Sequence, residues 1–160
     1  MKKTIIVFLI SSLAYAVQAA EDKPENTLGL SDSVSVLLKA EMNEIKKGME
    51  SLVFAMASGN WKQIQETGHR IKHSYIMKNK LTESQKHELH AKLPAQFREI
   101  DKKFHYYAGM LSHVAEERDI ELVNFYFAKM NESCMHCHSK FVTNRFEGFR
   151  QGNKHEQHDH

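Results

Sequence analysis

Four stretches of this chain carry apolar residues at alternating steps of three and four, and no other feature constrains its fold as tightly. The first is Leu38, Met42, Ile45, Met49, Leu52 and Met56; the second is Ile64, Gly68, Ile71 and Tyr75. The third is Phe97, Ile100, Phe104, Tyr107, Leu111 and Val114, and the fourth Val123, Phe127, Met130, Cys134, Cys137 and Phe141. Such steps average close to one helical turn, so each stretch reads as a helix with a single apolar stripe. No run alternates apolar and polar residues for long enough to build a sheet. Four stripes of one period, joined mostly by short links, predict an all-α fold, an antiparallel up-down four-helix bundle.

The punctuation agrees. Ser31 or Asp32 can cap the first helix, and Ser58-Gly59-Asn60 stops it, with Gly59 suited to a left-handed cap and Asn60 to the next N-cap. The second helix is expected from about Trp61 to Lys78, with Gly68 allowing close approach of a neighbour. Thr82-Glu83-Ser84-Gln85 has capping-box form and opens a short helix to about Leu93, within the one long connection, 79–93. Pro94 suits the first turn of the third long helix. Asp119 can cap the fourth, which is expected to run to the neighbourhood of Phe149.

The bundle does not use the whole chain. Lys2 and Lys3, the apolar run Ile5 to Leu13, and the small residues closing at Ala19-Ala20 have the form of a secretory signal peptide over residues 1–20. Residues 21–30 read as a disordered lead-in, 31–149 as the helical domain, and 150–160 as a His-rich polar tail. Removing the first twenty takes two lysines and no acid, so the formal charge falls from +2 to 0. A neutral domain gives no case for nucleic acid. No apolar run left after signal removal is long enough to span a membrane. Export points to the periplasm, an oxidising compartment in which a close cysteine pair would tend to form a disulfide.

Only two cysteines are present, and both lie in Cys134-Met135-His136-Cys137-His138. Cys-x-x-Cys-His is the attachment signature of c-type haem. On a helix, cysteines three apart share a face and can each form a thioether to a haem vinyl group. His138, four residues after Cys134, lies on that face and can bring a nitrogen to the iron. Two other readings compete. A structural zinc site needs four ligands, and no second pair completes one. A redox dithiol expects strand-rich surroundings that are missing here. Both cysteines also fall on the apolar stripe of their helix, which a surface-mounted metal site would not require.

In an up-down bundle the end of the fourth helix lies near the start of the first. His138 is expected about nine residues from that end, roughly 13 Å, and Met42 about eleven residues from the start, roughly 16 Å. Met42 is therefore the candidate distal ligand, with Met49 a turn-pair deeper and an open iron as the alternatives. His69 and His73 stand four apart on the second helix and want a third ligand. His87, His90, His105 and His113 close no constellation, and His136 is expected on the outer side.

A Cys-x-x-Cys-His near the C-terminus, on the last of four helices, resembles the class II cytochromes c, the cytochrome c′ family with its low-spin His/Met relatives. The resemblance covers about Ser31 to Phe149, with Cys134 to His138 as its one specific motif. It implies one covalently attached haem c on Cys134 and Cys137, with His138 as proximal ligand. A helix-one methionine at the distal position, matched here by Met42, implies an electron carrier. An apolar distal residue implies a five-coordinate protein binding nitric oxide or carbon monoxide. The 79–93 connection and the His-rich tail depart from the family pattern.

The expected function is single-electron transport in the periplasm, since His/Met ligation raises the potential and leaves no open iron position. Redox partner proteins are implied, approaching a haem edge flanked by Lys140 and Arg145, and a homodimer is expected only by analogy. An enzyme is not expected. A peroxidase needs a distal acid–base group, for which helix one offers only Glu41 or Glu44.

Overall fold

A computed structural model describes residues 28–150, and every described element is helical. Four long helices dominate: α1 (Asp32–Ala57), α2 (Trp61–Lys72), α5 (Ala95–Glu116) and α6 (Ile120–Phe141). Between them lie two short ones, α3 (Met77–Lys80) and α4 (Glu83–Lys92). A 3-10 turn, Thr143–Arg145, and α7 (Glu147–Arg150) follow α6. The segment read as a signal peptide, most of the expected lead-in and all but the first residue of the His-rich tail lie outside the described residues.

The helix ends are made by the residues the sequence offers for them. Ser31 accepts from the Val34 N–H, Asn60 from Gln63, and Asp119 from Leu122. Thr82 and Gln85 complete a reciprocal capping box. Gly59 turns left-handed at φ 64°, and the Asn60 N–H donates back to the Ala55 carbonyl at 2.8 Å, closing the last turn of α1. Pro94 stands at the N-cap of α5, one place before the expected first turn.

α5 is the central element, packed against both α2 and α6, while α1 packs against α2. The α2–α5 seam runs antiparallel: Gln65 pairs with Ser112, Gly68 meets Ala108 and Ser112, and Ile71 pairs with His105. Gly68 lets the backbones touch, because a Cβ there would lie 2.8 Å from the Ala108 carbonyl oxygen and 2.9 Å from the Ser112 nitrogen. Around this seam Leu52, Ile64, Ile71, Leu111 and Met130 are fully enclosed. Burying side chains of this size contributes roughly 1.5–3 kcal/mol each, so this cluster is the main source of stability. A second, smaller cluster joins Leu30, Val34, Leu93 and Phe97. Leu30, read from sequence as the end of a disordered lead-in, is thus part of the core.

Three expectations are corrected. The second helix stops at Lys72 instead of Lys78, because Ser74 turns left-handed (φ 61°) and the chain restarts as α3. The Glu41 carboxylate makes that break stable, accepting from the N–H groups of Tyr75 (2.9 Å), Ile76 (2.6 Å) and Met77 (3.1 Å). The fourth helix stops at Phe141, well short of Phe149. Finally, the inward face of α1 is rotated from its expected stripe. Its buried residues are Val34, Glu41, Ile45, Gly48, Leu52 and Ala55, while Leu38, Met49 and Met56 are half-buried. Gly48 explains the rotation: it lets α2 and its following turn come close, with Ile71, Thr67 and Tyr75 against it.

Candidate haem-attachment site

α6 carries the site on a continuous run of helix. Its apolar stripe is buried as spaced, with Val123 and Met130 enclosed and Phe127, Cys134, Cys137 and Phe141 packed along the edge of the core. The two thiols look into different clusters. Cys134 packs against the main one, and Cys137, a turn later, packs against the small one with Phe141. They are free thiols, half-buried and one turn apart on one side of the helix.

Burial in apolar surroundings sets their acidity. It pushes the Cys134 thiol above its ordinary value, and it pushes Cys137 up to about 11, with the nearby Asp101 carboxylate and Cys134 adding to the effect. Both are therefore protonated at neutral pH. His138 is half-buried as well. Burial lowers its pKa, and the positive charge of Arg145 lowers it further, so the imidazole is neutral and its nitrogen is available to a metal. The ring lies flat on Phe146, centroids 4.3 Å apart and planes 14° from parallel. The sequence reading missed Phe146 because the helix was expected to continue past it.

Met42 is not on the buried face. It is 37% exposed and belongs to neither cluster. Its neighbours along α1 bracket the site nevertheless. Leu38 packs in the cluster that holds Cys137, and Ile45 belongs to the cluster that holds Cys134. Met42 thus occupies the open edge of α1 between them. The expected distance of His138 from its helix end does not hold, since α6 ends three residues after it.

The remaining candidates separate clearly. His69 and His73 are both exposed, their rings stacked at 4.3 Å. Among the described residues no three His, Cys, Asp or Glu side chains gather as a metal-holding group. Glu41 and Glu44 are engaged away from the site, Glu41 with the start of α3 and Glu44 with Lys47 at 2.7 Å. No described helix is long and apolar enough to cross a membrane.

The donor set fits a covalently held haem. It offers two thiols at helical spacing, an imidazole beside them that burial and Arg145 keep neutral, and apolar walls from two clusters, whereas the Met42 thioether stands on an open edge of α1. No family model, no curated protein and no solved structure matches the chain, so the assignment rests on these residues.

Proposed function

We propose that this chain is a class II-type cytochrome c, an exported single-electron carrier of the periplasm, with α1, α2, α5 and α6 as the helices of an antiparallel four-helix bundle. The observation that carries the reading is that both thiols of Cys-x-x-Cys-His lie half-buried on the inward side of one continuous helix. A bound haem would supply a one-electron iron couple. Cys134 and Cys137 would hold it through thioethers, His138 would be the proximal ligand and Met42 the distal one. The two apolar clusters would limit water at the site, which with His/Met ligation favours a high potential. Lys140 and Arg145, both exposed, flank the motif where an acidic face of a redox partner would dock. Glu41 and Glu44 are occupied elsewhere, which argues against a peroxidase.

The exposure of Met42 favours one second reading, a five-coordinate protein that binds nitric oxide or carbon monoxide, because Met42 is 37% exposed and belongs to neither core cluster. Visible spectra of oxidised, reduced and carbon monoxide-treated protein, wild type and Met42→Ala, separate the two. The carrier predicts a low-spin wild type whose methionine–iron band disappears in Met42→Ala. A high-spin wild type that binds carbon monoxide readily and is unchanged by the substitution would establish the second reading instead.

A further inference from the structure

α6 ends in a way that places an aromatic wall against the proximal histidine. Val142 leaves the helix (φ −141°, ψ 34°), and the Thr143–Arg145 turn reverses the chain so that Phe146 comes back over His138. The arrangement is held locally. The Phe146 N–H donates to the Thr143 carbonyl at 3.3 Å, the Phe149 N–H donates to the Phe146 carbonyl at 3.0 Å, and the Phe149 ring edges against Phe146 with centroids 6.4 Å apart. Two backbone hydrogen bonds and one ring contact therefore hold residue 146 in place.

A metal-ligating histidine usually has its plane fixed by a hydrogen bond from its second ring nitrogen to a carboxylate or carbonyl. Among the described residues no such bond orients the His138 ring. The nearest polar side chain along the helix, Ser139, is turned away, its hydroxyl donating to the His136 carbonyl at 3.2 Å. The torsion that turns an imidazole about its own axis is broad and weakly held when nothing restrains it. A flat ring stacked at 4.3 Å and 14° restrains it directly.

We propose that Phe146 is a positioning residue: its stacked ring, in place of a hydrogen-bond acceptor, fixes the plane that the His138 imidazole presents to the iron. The ligand half of this inference rests on the haem reading above, whereas the orienting half is a property of the chain itself. Bulk alone does not suffice for the role. A leucine at 146 fills space but offers no face, and a tyrosine keeps the face.

The test uses the full chain as wild type, Phe146→Leu, Phe146→Ala and Phe146→Tyr, with and without haem. In the haem-free protein, the carbon-bound ring protons of His138 should be shifted upfield in proton–carbon NMR by the Phe146 ring current. Phe146→Tyr should retain that shift, and Phe146→Leu and Phe146→Ala should lose it. In the oxidised, haem-loaded protein, wild type and Phe146→Tyr should give one set of electron paramagnetic resonance g-values and haem methyl shifts. Phe146→Leu and Phe146→Ala should give altered or multiple sets while still carrying covalent haem. Unchanged His138 shifts in Phe146→Leu would overturn the orienting role, and unchanged g-values in a haem-loaded Phe146→Leu would overturn the ligand role. A wild type that takes no haem would instead overturn the proposed function, leaving the haem-free spectra to decide the orientation.

Discussion

Replacing Glu41 with glutamine should cost about as much stability as removing a core side chain, although the two residues have nearly the same shape. Glu41 is 2% exposed and its carboxylate accepts three backbone hydrogen bonds, from Tyr75, Ile76 and Met77. Hydrogen bonds to a charged group are worth roughly 1.5–3 kcal/mol each, and the worth of bonds sharing one carboxylate is less than their sum. Glutamine keeps one acceptor oxygen and turns an NH2 group toward backbone donors, so at least one N–H loses its partner and faces another donor. Because Tyr75, Ile76 and Met77 are only half-buried, water can relieve part of this, and about 3 kcal/mol is a reasonable net loss. For a domain of this size each kcal/mol lowers the midpoint by about 3–4 °C, which gives a fall in Tm of about 10 °C. Thermal unfolding followed by circular dichroism at neutral pH measures it, and amide exchange at Ile76 should speed up before the rest of the chain opens. A Glu41→Gln protein melting within about 2 °C of wild type would show that the carboxylate does not hold the α2–α3 break.

Other perturbations have equally definite outcomes. Gly68→Ala presses a methyl group into the Ala108 and Ser112 backbone of α5, which cannot yield as a side chain can, so a loss of about 2–3 kcal/mol is expected in denaturant unfolding. In haem-free, reduced protein, Cys137 should alkylate about 100-fold more slowly at pH 8 than an unhindered cysteine, its rate still climbing past pH 10, because its pKa is about 11; a plateau by pH 9 would refute the burial argument. His105 is buried against its charge, but Asp101 and the Ile71 carbonyl, which accepts its Nδ1–H at 2.6 Å, outweigh that and raise its pKa above 6.5. A raised folded pKa gives stability that is complete below the unfolded value and is lost as pH rises through the folded one. His105→Gln should therefore flatten the decline of wild-type stability above pH 6.5, and an unaltered pH profile would count against the pairing.

Much of the fold was legible because local signals and the core agree. In α2, α5 and α6 most of the residues at three-four spacing pack in the core, Ile100 being the exception in α5, and the caps at Ser31, Asn60, Thr82 and Asp119 each make the expected bond. What escaped depends on partners far along the chain. The end of α2 is decided by Glu41, more than thirty residues earlier, and a carboxylate on a helix gives no sequence sign that it will cap another one. The phase of α1 went to Glu41, Gly48 and Ala55, a seven-residue series of one acid and two small residues that competes with the methionine series. Small residues at that interval were the available signal, because they let α2 sit closest. Met42 consequently sits on the open edge rather than inside. At the candidate site, the shared helix face of Cys134, Cys137 and His138 was readable from spacing alone, whereas the place of Phe146 depends on where α6 stops, and neither glycine nor proline marks Phe141.

The central claim is that Cys134 and Cys137 hold a haem covalently. Its most direct test is the intact mass of the purified protein after acid–acetone extraction, for wild type, Cys134→Ala, Cys137→Ala and the double substitution, with the haem absorption band followed in the same fractions. The account predicts that wild type keeps one haem on the polypeptide through extraction, that each single substitution weakens attachment, and that the double substitution releases all haem into the solvent. A wild-type chain with the mass of the bare polypeptide, or haem retained by the double substitution, would contradict it.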